Sequence, residues 1–319
     1  MKVISPVSNS SNVILKNVIE SIKIIDLYED ELSTNVTRLF KGIDSVSVYE
    51  CLDTGYLFYY PFNIIGDEKL YDDLKIKMPE IYNTPYYPLW KWEYDVVLKF
   101  ITDTSSVLEI GCGSGVFLNK LKTINPGRKL KGLELNKYSV DEANSKGIDA
   151  QVETIQDFST TNNYLYDVVC FFQVLEHVCE VHSFLETSIA CLKNNGQLII
   201  AVPFNAPYLF KNDMLNTLNL PPHHMGLWNE AAFKNLTKIF PLKLDKIVIE
   251  NLPNAGYDFE RYYVVNKDIL YKPSYPFKSM FDKLYYKYLK KYHAKYYGKN
   301  IIAVYTKHSD EGFKNYLLQ

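Results

Sequence analysis

Hydrophobic and polar positions divide the chain into three zones of different texture. In residues 1–98 the runs SVSVYECL (45–52) and YLFYYPF (56–62) alternate apolar with polar side chains. The turn-like DTG between them predicts a β-hairpin. Ahead of it, VILKNVIESIKIIDLY (13–28) carries apolar residues at helical spacing. Behind it, Pro79, Pro85 and Pro88 punctuate a stretch whose later part, 90–101, reads as a helix.

The central zone, 105–252, alternates strand and helix patterns with short links. Strands are expected at SSVLEIG (105–111), KLKGLELN (129–136), DAQVE (149–153), YDVVCFFQV (166–174), QLIIAVPF (197–204) and LDKIVIENL (244–252). Helices are expected at 114–124, at 137–147, at 182–196 closed by Asn-Gly, and at 233–240. This rhythm predicts a doubly wound α/β sheet. NIIAVYTKH (300–308) is a further strand. If it pairs antiparallel with 244–252 at the sheet edge, 253–299 is an insertion between them. The lysines of that insertion, at 283, 287, 290, 291 and 295, make either a solvated helix face or a surface docking to an anionic lipid or glycan carrier. Contact with a membrane surface would run through 279–297.

Composition narrows the classes. Lys plus Arg number 35 against 37 Asp plus Glu, so global charge gives no footprint for wrapping nucleic acid. No apolar run reaches the ~18–20 residues that cross a bilayer. The opening MKVISPVSNSSNVILKN lacks a charged region followed by an unbroken apolar one, so a cytoplasmic location is expected. Five cysteines without a C-x-x-C pair fit neither a disulfide framework nor a zinc ribbon. Cys170, in an apolar run, reads as a buried small hydrophobe. The 27 tyrosines crowd at 82–94 and 262–297, as half-buried surface does.

The sharpest chemical signal is Glu109-Ile110-Gly111-Cys112-Gly113-Ser114-Gly115 at the carboxyl end of the first core strand. Glycines there let the backbone turn tightly and approach a ligand, with the unsatisfied amides of the next helix behind it. Glu134 ends the second core strand, where a carboxylate accepts from ribose hydroxyls. Glycine plus acid fixes a ribose-bearing cofactor without choosing among them. Three details favour S-adenosylmethionine over NAD. The loop is G-x-G-x-G rather than G-x-G-x-x-G. Glu109 would favour a sulfonium or ammonium and repel a pyrophosphate. FFQVLEHV and QLIIAVPF follow at a family's order and spacing.

VLEIGCGSG, GLELN, FFQVLEHV, LKNNGQLIIAVP and PPHHMGLW together resemble the successive motifs of class I S-adenosylmethionine-dependent methyltransferases over residues 105–252. The resemblance implies a Rossmann-like doubly wound sheet of seven strands, the last antiparallel, with core residues 99–252 plus 300–308. The N-terminal extension 1–98 would lie on the lid or acceptor side. It implies that Gly111, Gly113 and Gly115 cradle the methionine part of S-adenosyl-L-methionine with Glu109 beneath. Glu134 would hold the ribose, Leu135 would lie against the adenine, Thr154 and Ile155 would touch its edge, and Gln173 would line the sulfonium side. The segment around CLDTG is similar to Cys-x-x-Cys-Gly segments that precede some bacterial methyltransferase domains and often hold zinc. Only Cys51 survives here, with Thr54 at the second Cys position, so no zinc is expected. KWEYD (91–95) resembles the leading helix of related enzymes. Core packing is its expected role, with Trp92 and Tyr87 as lid residues the alternative.

Methyl transfer needs alignment, exclusion of water and, for a hydroxyl acceptor, a base. His177 in LEHV, and His223 and His224 in PPHH, are the catalytic candidates on the ligand-bearing rim. Adjacent residues of an extended segment point opposite ways, so one of the pair is expected to be structural. No metal is expected. The three histidines could form a site, but the carboxylate companions are not evident. The expected partner is a small-molecule or glycan acceptor methylated on a hydroxyl, by analogy with bacterial proteins that accompany polysaccharide-building enzymes. Quinone-type aromatics are the alternative, since LEHV is shared by enzymes acting on them. A non-catalytic S-adenosylmethionine-binding scaffold is the reading from another class. Nucleic acid is not expected as substrate, because an N-P-P-[YF] tetrad does not follow the fourth core strand.

Overall fold

The computed structural model describes residues 2–82, 89–205, 215–250 and 300–308. The proposed basic face at 279–297 and Tyr87 lie outside the described residues.

Two sheets carry the architecture. The larger has seven strands in the order β10-β11-β8-β7-β4-β5-β6. They are β4 (Val107–Ile110), β5 (Leu130–Glu134), β6 (Ala150–Val152), β7 (Tyr166–Phe172), β8 (Leu192–Pro203), β10 (Leu242–Ile249) and β11 (Asn300–Lys307). Pairing is parallel from β6 to β8. β11 runs antiparallel to both β8 and β10. The order reverses at β4, so β4 and β7 flank the switch point at which such sheets bind ligands beyond their carboxyl ends.

The central strands are buried along almost their whole length, as a sheet covered on both faces requires. Val169, Phe171, Ile200 and Ala303 look into one apolar cluster. Val168, Cys170, Ile199 and Ile302 look into the other, against Phe117 and Leu121 of the helix that follows β4. Consecutive residues of one strand thus feed opposite cores, the period of two made visible.

The smaller sheet, β1-β2-β3-β9, joins β1 (Val13–Glu20), β2 (Ser45–Cys51), β3 (Leu57–Tyr60) and β9 (Gly226–Leu227). β2 and β3 form the hairpin expected from their alternation. The run 13–28 departs from its expected helix. Its first half is β1, paired antiparallel with β2 from Val13↔Cys51 to Glu20↔Ser45, and the helix α1 begins only at Ser21 and ends at Leu32. Val13, Ile14, Val18 and Ile19 are β-branched and stiff at χ1, and a neighbouring edge decides such a segment for strand. The helix expected at 182–196 also ends earlier, at Ala190, because Leu192 already pairs with Tyr166.

β9 belongs to the long segment after β8 yet pairs with β3. It therefore stitches the N-terminal extension onto the rim of the core. A second extension helix, α2 (Glu68–Tyr82), stands beside α1.

Candidate functional site

The glycine loop leaves the end of β4 and enters the helix α4 (Val116–Ile124). Gly111 has φ +71°, and a Cβ there would stand 2.4 Å from Val174 Cγ2, so only glycine lets the loop lie against the end of β7. Gly115, at φ +72°, is the N-cap of α4, where a Cβ would press on Ala143 at 3.1 Å. Gly113 differs: a Cβ on it would meet nothing within 4 Å. That open space lies over the loop, where the resemblance puts the methionine part of the cofactor.

Glu134 is tied into the same loop. Its Oε2 accepts from the Gly113 amide at 3.0 Å, and its Oε1 accepts from the Leu135 and Asn136 amides at 2.8 and 3.0 Å. Three amide donors fix the carboxylate in orientation, and its remaining lone pairs can accept ribose hydroxyls. Leu135 beside it is 68% exposed, as a side chain that covers a flat ring would be. Glu109 is buried under the loop, and its Oε2 has no hydrogen-bond partner among the described residues. Desolvation pushes its pKa well above the ordinary carboxylate value, with Glu134 adding to the rise and Lys91 opposing it. A cationic ligand would relieve that orphaned oxygen. Cys112 is buried with its pKa pushed up by desolvation, the state of an unreactive thiol.

The adenine-side candidates resolve differently. Thr154 is the N-cap of α6 (Ile155–Ser159): its hydroxyl accepts from the Asp157 amide and donates to the Asp157 carboxylate. Ile155 is only 2% exposed and packs in the core, so what it can offer the rim is backbone rather than side chain. Gln173 sits at φ +59° just beyond β7. Its Nε2 donates to Glu93 Oε1 at 2.8 Å and to Asn300 Oδ1 at 3.2 Å, and Asn300 donates in turn to Glu250. Glu93 comes from the helix α3 (Trp92–Val97) and Asn300 from β11. Reading the sequence missed both, because they join Gln173 only through the fold. Trp92 packs against the core cluster around Tyr94 and Val97, the packing expected of that helix.

The three catalytic candidates come together. His177 lies in a 3₁₀ turn (Leu175–His177) beyond β7. His223 and His224 lie in a second turn, where both of their amides donate to the Leu220 carbonyl. Ring centroids of His177 stand 4.9 Å from those of His223 and of His224, and the latter two stack at 4.4 Å. The expectation that the adjacent pair points opposite ways is overturned, because the segment is a tight turn and not extended. The Met225 amide donates to the Glu176 carbonyl and joins the two turns.

The extension closes this cluster. Tyr28 of α1 donates to the Leu220 carbonyl at 2.9 Å and receives the His223 amide at 3.3 Å. Tyr71 of α2 stands edge-on to His177. Of the three imidazoles only His177 keeps appreciable exposure, 23% of its side chain. Val174, in van der Waals reach of Gly111, is three residues before His177. The imidazole cluster and the glycine loop therefore share the rim beyond the carboxyl ends of β4 and β7.

A methyltransferase-domain family matches residues 87–245, about half the chain. The chain belongs to the class I S-adenosylmethionine-dependent methyltransferases. The match takes in the glycine loop, Glu134 and all three histidines, and the cofactor of this methyltransferase is S-adenosyl-L-methionine. Among curated relatives, the ubiquinone biosynthesis O-methyltransferase of Vibrio campbellii is 28% identical over 101 residues, 30% of this chain and 42% of that protein. An uncharacterized protein of Methanocaldococcus jannaschii is 28% identical over 152 residues, 46% of this chain and 57% of that protein. The methyltransferase thus spans less than two thirds of the length of these relatives. A solved S-adenosylmethionine-dependent methyltransferase from Archaeoglobus fulgidus is 15% identical with a TM-score of 0.46, over 67% of this chain and 91% of that one. Among the described residues no helix is long and apolar enough to cross a membrane.

Proposed function

We propose that this methyltransferase transfers a methyl group from S-adenosyl-L-methionine to a hydroxyl of an acceptor held beside His177, His223 and His224. The observation that carries the reading is the glycine loop with Glu134 fixed into it by three amides, on the same rim of the sheet as a cluster of three imidazoles.

When bound, the cofactor would supply an electrophilic methyl carbon on a sulfonium, with the neutral thioether as leaving group. The chain's own residues do the rest. Gly111, Gly113 and Gly115 shape the loop, Glu134 accepts from the ribose, Leu135 covers the adenine, and the backbone at Thr154 and Ile155 borders its edge. Glu109 lies on the buried side of the loop, where a bound cation would favour its ionised form. Gln173, held by Glu93 and Asn300, borders the sulfonium side. Such a reaction depends mainly on alignment and exclusion of water. Tyr28 of the N-terminal extension holds the PPHH turn, which supports putting the extension on the acceptor side. The three histidines activate the acceptor hydroxyl.

Two acceptor classes enter this reading by analogy, and the site residues do not choose between them. A sugar or glycan hydroxyl is the first, with polysaccharide biosynthesis as its setting. A quinone-type phenol is the second, and likeness to the Vibrio ubiquinone biosynthesis O-methyltransferase favours it. A panel of simple catechols and free or lipid-linked sugars, incubated with methyl-labelled cofactor, tests the reading. Label on an acceptor oxygen supports it and chooses the class. Cofactor binding with no transfer to any hydroxyl, in a chain whose histidine cluster is closed to small probes, would favour a non-catalytic scaffold.

A further inference from the structure

His177, His223 and His224 are arranged as ligands rather than as a single base with two supports. One ring nitrogen from each lies within 4.8 Å of the others. Each ring is also anchored through Nδ1. His177 Nδ1 is 2.6 Å from the His223 carbonyl oxygen, His223 Nδ1 is 2.9 Å from that of Leu218, and His224 Nδ1 is 3.2 Å from Asn219 Oδ1. A carbonyl or amide oxygen only accepts, so each Nδ1 donates its proton and the ring's lone pair is carried by Nε2. This is how metal-ligating histidines are held: a backbone or side-chain oxygen on one nitrogen fixes the tautomer and aims the other.

Protonation favours the same role. Burial lowers the pKa of His177 to about 4 and that of His223 to about 3, and lowers that of His224 well below its ordinary value, with mutual repulsion adding to the effect at His223 and His224. Neutral imidazole is the ligand form.

The carboxylate that sequence reading found lacking is Glu176. It is 1% exposed, its Oε1 stands 3.8 Å from His177 Nε2, and its Oε2 has no hydrogen-bond partner among the described residues. An orphaned buried carboxyl oxygen is costly. A cation beside it removes that cost and gains the negative charge that three neutral ligands do not provide.

We propose that His177, His223 and His224 form a binding site for a first-row divalent cation, Zn²⁺ or a metal of similar ligand preference, with Glu176 as its carboxylate neighbour. Imidazole nitrogens suit such ions. Zn²⁺ bonds nitrogen at about 2.0–2.1 Å, which sets tetrahedral ligands roughly 3.4 Å apart. The rings therefore need to close by little more than about an ångström, which side-chain rotation supplies. Three nitrogens leave a fourth position for water or an acceptor oxygen. There the cation lowers the pKa of the acceptor hydroxyl, whose proton leaves to bulk water. That role rests on the methyl-transfer reading; the site itself rests only on the histidines and Glu176.

The test is a Co²⁺ titration of the chelator-stripped full chain, read by visible absorption, with Zn²⁺ content measured by mass spectrometry after dialysis. One equivalent per chain with tetrahedral Co²⁺ bands, displaced by Zn²⁺, is expected. His177→Gln and His224→Ala should each weaken binding at least ~100-fold, while His182→Gln, outside the cluster, should bind as the parent does. His224 is deeply packed, so His177→Gln, at the more exposed ring, decides the matter if the other variant fails to fold. No Co²⁺ spectrum, or equal binding by the parent and His177→Gln, overturns the site. Calorimetry with S-adenosylmethionine on the same samples separates the two readings. A chain that binds cofactor but no cation refutes only the metal site, and one that binds cation but no cofactor refutes only methyl transfer.

Discussion

His223 and His224 stack face to face, their ring centroids 4.4 Å apart and their planes 19° from parallel. Neighbouring residues can do this only where the backbone turns, and here the Leu220 carbonyl gathers both of their amides. Tyr28 holds that carbonyl from the other side. The turn that presents the imidazoles is thus fastened to a helix almost two hundred residues earlier in the chain.

Tyr28→Phe is expected to cost about 0.5–1.5 kcal/mol in urea unfolding, because the turn loses its hydroxyl bridge to α1 while the Leu220 carbonyl keeps the His223 and His224 amides. The cofactor-side residues are untouched, so affinity for S-adenosylmethionine should stay within about twofold while turnover on the acceptor falls. Unchanged turnover would mean that the turn holds its shape without the extension.

Gly111→Ala and Gly113→Ala should part company. At Gly111 the added methyl collides with Val174 and the residue keeps a left-handed φ, so the fold loses stability, by ~1–2 kcal/mol from the φ alone. At Gly113 the methyl enters open space. The backbone cost there is similar but no neighbour is displaced, so the larger loss should be in cofactor affinity. Thermal melts and calorimetry of the two variants, side by side, check this.

Glu134→Ala removes the acceptor of three amides and of the ribose hydroxyls. Loss of hydrogen bonds to a charged group, each about 1.5–3 kcal/mol, predicts cofactor binding weaker by roughly 10–100-fold. Wild-type affinity in this variant would remove Glu134 from the binding site.

Glu109 makes stability depend on pH in a direction that can be worked out. Desolvation raises its pKa in the folded chain, so the folded state keeps the proton to higher pH than the unfolded state does. Stability is then full below the unfolded carboxyl pKa of about 4.3 and declines as pH rises through the folded value. Glu109→Gln should melt at a higher temperature than the parent at pH 7–8, with the gain vanishing near pH 4. The same change should weaken cofactor binding, since a glutamine cannot ionise beneath a cationic ligand. A variant no more stable at pH 8 than at pH 4, relative to the parent, contradicts this account of Glu109.

Much of this was legible before the structure. The strand–helix rhythm of 105–252 and 300–308 placed all seven strands of the larger sheet, because fully buried parallel strands read as unbroken apolar runs such as VVCFF and LIIAV. The run 13–28 was not legible. Its apolar spacing fits a helix, and only the edge of β2 converts the first half to strand. The glycine loop and Glu134 announce themselves by local spacing. The partners of Gln173, namely Glu93 and Asn300, and the grip of Tyr28 on Leu220 span 80, 127 and 192 residues, and no local pattern encodes them. Glu176 stood in plain sight within LEHV, but its burial against His177 is a property of packing.

The central claim is that the loop from Glu109 to Gly115, with Glu134, holds S-adenosylmethionine. Isothermal titration of the purified chain with S-adenosylmethionine and with its demethylated product, and with NAD as control, tests it most directly. Binding of the sulfonium and its product in the micromolar range, with no heat from NAD, is the predicted result. NAD binding, or silence from both members of the pair, would contradict it.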